Sequence, residues 1–114
     1  MYNSRTKAIV FIGRSIDLIR AFPAEAKREA GFQLNKIQHG YAPTDWRPMK
    51  SVGVGAREIR VCVSGGVYRV IFVAKFEEAV YVLHAFAKKT QKTSKSDIEI
   101  ARAAYRTALE ASKE

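Results

Sequence analysis

The sequence predicts an α+β fold, and three observations carry that prediction. Three β-favouring runs follow one another at 57–64 (REIRVCVS), 67–74 (VYRVIFVA) and 79–87, with only short turns between them. Apolar residues at helical spacing come before them (Ala26, Ala30, Leu34, Ile37) and after them (Ile98, Ala101, Ala104, Tyr105, Leu109). The length of 114 residues fits one domain, 1–114. A chain of this size can bury about two-thirds of its unfolded surface, enough for a core without staples.

The elements follow in order. Residues 7–12 (KAIVFI) read as a first strand ended by Gly13. Ser15 is placed to cap a short helix, 15–21, whose apolar side is Ile16, Leu18 and Ile19. Pro23 suits the first turn of a second helix, which runs to Gln38 and stops at His39-Gly40. Gly31 inside it costs about 1 kcal/mol relative to Ala, so it is expected to mark close packing or a break. The stretch 41–56 holds Pro43, Pro48, Gly53 and Gly55 and reads as loop, with a short strand near Trp46 to Met49. Gly65-Gly66 makes the two-residue turn of a hairpin. A turn at Lys75 to Glu78 leads to the third long strand. The last helix, 96–112, starts at Ser96 with Glu99 three residues on, the spacing of a capping box.

Charge narrows the function. The net charge is +9. Residues 1–50 carry nine Lys/Arg against four Asp/Glu, residues 51–96 carry eight against three, and residues 97–114 carry three against four. The excess sits on the body of the domain and stops before the last helix. Such a body favours nucleic acid or an acidic partner, through phosphate neutralisation and steering. The single cysteine, Cys62, allows no intrachain disulfide and no thiolate metal cluster, which suits a reducing cytoplasm. No secretory leader is expected, and no apolar run comes near the roughly 18 residues of a membrane helix.

Pairing parity then assigns faces. A turn at Gly65-Gly66 pairs Ser64 with Val67, Cys62 with Arg69 and Arg60 with Ile71. One face holds Ile59, Val61, Val63, Tyr68, Val70 and Phe72, is apolar throughout, and must pack on helices. An even turn at 75–78 adds Tyr81, Leu83 and Ala85 to it. The opposite face holds Arg60, Cys62, Arg69 and Ile71, joined by Val80, Val82, His84, Phe86 and Lys88. Cations beside an aromatic ring are the ingredients of a single-stranded RNA site, where bases stack and phosphates pair with Arg or Lys. The alternative is an ordinary solvated sheet face. From His84 onward the chain carries Lys88, Lys89, Lys92 and Lys95 and no acid before Asp97.

Other chemistry is not supported. The glycines at 53, 55, 65 and 66 fit turns better than a phosphate-binding loop. His39 and His84 stand far apart without a metal-binding context, so no metal is expected. Cys62, in mid-strand, reads as a small buried residue rather than a nucleophile. Glu77-Glu78 is a solvated turn pair rather than a catalytic one.

Several segments together resemble a known family. They are FIGRSIDLIRAFP (11–23), EAGFQL (29–34), P-x-DW-x-PM (43–49), VGVGAREIR (52–60), YRVIFVAKFEEAVYVLHAFAKKTQKT (68–93) and SDIEIARAAY (96–105). This pattern is similar to the phage-related branch of the RelE/HigB toxins, and KKTQKT after a strand is its most specific part. The resemblance implies a RelE-like α+β fold: a curved, mostly antiparallel sheet, two N-terminal helices packed on one face, and a C-terminal helix. It implies the toxin of a type II toxin–antitoxin system, inactivated by a cognate antitoxin, often a helix-turn-helix protein. It implies ribosome-dependent cleavage of mRNA, without metal or cofactor, by attack of the 2′-OH on the adjacent phosphate. By motif position Arg69 is assigned to the scissile phosphate, with Arg60 and Lys88 near cationic positions of related toxins. His84 is the one plausible imidazole acid or base, because its ordinary pKa lies near neutrality. Lys88 or Lys89 is the alternative if clustered cations lower its pKa. Lys89, Lys92, Phe86 and Arg57 complete the expected RNA contacts, and Tyr105 is expected in the core. A chain of this fold that has lost catalysis and only binds RNA or its partner is the competing reading. An Arg69→Ala/Lys88→Ala variant is expected to stay folded, since both residues are assigned to the non-core face.

Overall fold

A computed structural model describes residues 6–88 and 92–112. The order of elements is β1 (Ala8–Phe11), α1 (Ser15–Arg20), α2 (Ala24–Gln38), β2 (Trp46–Pro48), β3 (Ala56–Val63), β4 (Gly66–Val73), β5 (Ala79–Lys88) and α3 (Lys95–Ser112). The strands form one sheet in the order β1-β5-β4-β3-β2. Only β1 runs parallel to its neighbour; every other pair is antiparallel. This is the α+β architecture implied by the resemblance, with two helices on one face and the C-terminal helix on the other.

Both faces of the sheet are buried over much of their area. Ile59, Val61, Val70, Phe72 and Ala85 meet Ile19, Phe22, Ala26, Ala30, Leu34 and Ile37 of the α1–α2 layer. On the other face Ile71, Val73, Tyr81 and Leu83 meet Ala101, Ala104, Tyr105 and Ala108 of α3, with Met49 and Val52 from the loop before β3. The central strand β4 is therefore apolar at consecutive positions, VIFV, as a strand covered on both sides must be. Tyr105 lies in this second core, as expected, and donates a 2.6 Å hydrogen bond to the Val54 carbonyl.

The hairpin turn is Ser64-Gly65 rather than Gly65-Gly66. Gly66 has φ +146°, a value that favours glycine, and pairs with Val63 as the first residue of β4. The register moves by two residues, pairing Arg60 with Arg69 and Cys62 with Val67, so each residue of β3 and β4 keeps its expected face. Cys62 itself is exposed, contrary to the expected buried position.

β5 departs further. Ile71 pairs with His84, but the next residue, Phe72, pairs with Val82. Leu83 is an extra residue, a β-bulge. One inserted residue exchanges the two faces on one side of it. Ala85, His84, Phe86 and Lys88 keep their expected faces. Val80 and Val82 instead join the α1–α2 core, and Tyr81 and Leu83 join the α3 core.

Three local readings also change. Ser15 does not cap α1; its buried hydroxyl donates to the Val82 carbonyl at 3.1 Å and ties α1 to β5. Helix α3 is capped at Ser94, not Ser96. Its Oγ accepts the Asp97 N–H at 3.0 Å and donates to the Asp97 carboxylate at 2.7 Å. Gly31 marks neither a break nor close packing: α2 runs through it, and a Cβ there would meet nothing within 4 Å.

Candidate functional site

The face carrying α3 is covered only in part. Beyond the helix, cross-strand neighbours form three rows. The first is Arg47 on β2, Glu58 on β3, Ile71 on β4 and His84 on β5. The second is Arg60, Arg69 and Phe86. The third is Cys62, Val67 and Lys88. Strand alternation thus brings Arg60, Arg69, Phe86 and Lys88 into two adjacent rows.

Glu58 anchors the patch. It is wholly buried, and its carboxylate accepts hydrogen bonds from Arg69 Nη1, from Arg47 Nε at 3.0 Å and from Thr93 Oγ1 at 2.8 Å. Thr93 Oγ1 in turn accepts from Arg47 Nη2 at 3.3 Å. Thr93 thus lies against residues of both β3 and β2. Arg69 is 4% exposed, and its Nε has no partner among the described residues. A buried guanidinium held on one side by a carboxylate is fixed in orientation.

Arg60 and Asp45 form a pair at 2.9 Å with both side chains about half exposed. That hydrogen bond and the carboxylate charge push the Arg60 pKa further up, so the cation is permanent. Exposed pairs of this kind are worth little, so a phosphate can compete for Arg60. The Lys88 ammonium is held below the ordinary lysine value. Desolvation is the main cause, followed by repulsion from Arg69, with Glu58 opposing it and Arg47 and Arg60 adding smaller repulsions. Four cations against two carboxylates leave the patch positive.

His84 is placed differently from the expectation. It is 4% exposed, and its Nε2 lies 2.7 Å from Asp97 Oδ1 in the first turn of α3. Its ring stacks on Phe86 with centroids 5.3 Å apart and planes 25° apart. It backs the aromatic of the patch instead of standing in the open beside Arg60. Arg57 lies on the opposite face, over the Trp46 ring at 4.2 Å, because its odd position in β3 points toward the α1–α2 layer. Lys92 is exposed and lines a shallow groove with Arg47 and Thr93 beyond the β2 edge. Lys89 lies outside the described residues.

The sequence reading missed Glu58, Asp45, Arg47, Thr93 and Asp97. Glu58 had a signal: it is two residues from Arg60 in a strand, hence on the same face. The others come from a loop, a short edge strand and a helix start, where pairing parity gives no position.

Among the described residues no group of His, Cys, Asp and Glu is arranged to hold a metal, and no helix is long and apolar enough to cross a membrane. A family model described as phage derived protein Gp49-like (DUF891) matches residues 17–106, which run from within α1 through most of α3. No curated protein matches the chain.

Proposed function

This chain belongs to the Gp49-like family of phage-derived proteins, a family associated with toxin–antitoxin systems, and from that premise we propose that it is a toxin that cuts RNA. The reading is of a RelE/HigB-like, ribosome-dependent mRNA endonuclease that works in the cytoplasm, where translation occurs, and is silenced by an antitoxin. The observation that carries it is the row Arg60–Arg69–Phe86 with Lys88 in the next row.

Cleavage requires the 2′-OH to lose a proton as it attacks phosphorus, the extra negative charge on the phosphate to be met, and the 5′ oxygen to gain a proton as it leaves. Arg69, fixed by Glu58 just beneath the surface, meets the phosphate with its positive charge. Arg60 exchanges Asp45 for the phosphate. Lys88, whose pKa desolvation and the Arg69 charge hold below the ordinary lysine value, is assigned the proton transfer at the phosphate. Phe86 stacks a base and is steadied from behind by His84. Lys92 extends the cationic path beyond the β2 edge.

The test is expression of the chain in a translation extract with a defined mRNA. Cuts in ribosome-bound mRNA are expected, with no cuts in the same RNA free of ribosomes. An Arg60→Ala/Lys88→Ala variant, altered at two partly exposed positions, should fold and lose cleavage. Intact mRNA with the unmodified chain would sink the enzymatic reading, and RNA binding without cleavage would favour a binding module of the same fold.

A further inference from the structure

The edge of the sheet away from β2 holds a second feature, which meets the cationic patch only through His84, the ring behind Phe86. Helices α1 and α3 lie on opposite faces and flank the end of the edge strand β1, leaving a groove of ≈ 680 Å³. Its walls are Leu18 on α1 and Ile100, Ala103 and Thr107 at one-turn spacing on α3, and Leu83 of β5 lies in its floor. Ile100 is 48% exposed and adds its side chain to this apolar surface.

Two polar groups converge on this apolar trough. His84 lines it, is 4% exposed, and its Nδ1 has no hydrogen-bond partner among the described residues. The Asp97 carboxylate accepts from the Nε2–H, and the second ring nitrogen is left over. A buried ring nitrogen without a partner costs free energy that a ligand can recover. Arg14 is the one residue with a permanent charge among those lining the groove, so the fixed charge there is positive.

We propose that this groove docks an amphipathic helix of a partner protein, which offers apolar side chains to the trough, an acidic side chain to Arg14 and a hydrogen-bonding side chain to His84 Nδ1. Two helices with small residues at Ala103 and Thr107 leave a trough open along its length, the shape that takes a helix with apolar residues three and four apart. Charge complementarity selects an acidic partner: among the described residues the one permanently charged liner is cationic, and the chain as a whole carries +9. Arg60 stands on β3, two strands beyond β5, about 10 Å away by strand spacing. The partner therefore binds at the β1 side and leaves the Arg60 side of the sheet uncovered.

The experiment uses the full chain in cells that carry it naturally, with a photocrosslinking residue placed at the groove (Ile100→p-benzoylphenylalanine) or, as control, on α2 (Phe32→p-benzoylphenylalanine). The Ile100 position should crosslink to a protein, in a segment with apolar residues at helical spacing and at least one Asp or Glu. The Phe32 position should not reach that segment. With that partner purified, Ala103→Asp and Arg14→Glu, both at exposed positions, should each weaken binding at least tenfold with Tm unchanged. Crosslinks from Ile100 only to RNA, to a second copy of this chain, to a segment without those features or to nothing would overturn the proposal, as would unchanged affinity in both variants. Binding is read without any RNA, so a chain that cuts no mRNA leaves this proposal standing, and a failed crosslink leaves the nuclease reading standing.

Discussion

Glu58 has no exposure and three donors, and that arrangement changes what Arg69 is. Alternation along β4 puts Arg69 on the cationic face, which is legible in the sequence. Its burial is not, because it depends on a carboxylate from β3, an arginine from β2 and Thr93, five residues beyond β5. An Arg69→Ala/Lys88→Ala variant is thus a poor test of catalysis, since Arg69→Ala leaves part of a buried carboxylate uncompensated. Removing the other partner is worse. Glu58→Ala should cost about 3–5 kcal/mol, the usual penalty for leaving a buried charge unpaired, measured as a lower urea midpoint at unchanged m. Glu58→Gln should cost less, since it keeps one acceptor oxygen. Lys88 gives a prediction of sign. Its folded pKa is lowered from 10.5, so between the folded value and 10.5 the unfolded state binds the proton that the folded state has released. Stability contributed by this residue therefore rises as pH climbs through that window, and at neutral pH the charged form is a cost. Lys88→Met should raise Tm at pH 7, and the gain should shrink as pH approaches 10. A gain that grows with pH would refute the direction of the shift.

At the scale of elements, what the sequence reveals depends on whether a residue is governed by its own periodicity or by a neighbour. Every helix and strand is anticipated from its own residues, and the faces of β3 and β4 survive even a misplaced turn, because the register slipped by an even number. The lower half of β5 does not survive, because Leu83 carries no composition signal that separates a bulge from regular strand. Capping shows the same limit. Ser94 and Ser96 both stand three residues before an acid, Asp97 and Glu99, and sequence spacing alone does not choose between them. The structure chooses Ser94, so Ser94→Ala should cost about 1 kcal/mol. Ser96→Ala should stay within about 0.5 kcal/mol, both by thermal unfolding. Glycines divide in the same way. Gly31→Ala, in open helix, should stabilise by about 1 kcal/mol. At Gly53 a Cβ would sit 2.6 Å from the Tyr105 ring, which is itself held by the Val54 carbonyl, so Gly53→Ala should destabilise by about 1–3 kcal/mol.

Over the whole molecule, the +9 charge is not spread evenly, and the sheet sorts it. Arg60 and Lys88 stand on the face beyond α3, while Arg57 stands on the other face against Trp46. Composition detects the excess but cannot say which cations share a surface; pairing can. If RNA lies across the rows of Arg60, Arg69 and Lys88, its binding should weaken with salt in proportion to the phosphates neutralised, about 0.7 in log–log slope for each on a single strand. Arg60→Ala and Lys88→Ala should each reduce that slope by about 0.7, and together by about twice that, in titrations of a short single-stranded RNA across a series of salt concentrations. Arg57→Ala should leave the slope as it is, because reaching Arg57 would require the strand to pass around the β2 edge to the α1–α2 face. A slope reduced by Arg57→Ala as much as by Arg60→Ala would mean that the RNA follows that edge. The site would then have to be moved from the β3–β5 rows to the rim formed by Trp46, Arg47 and Arg57.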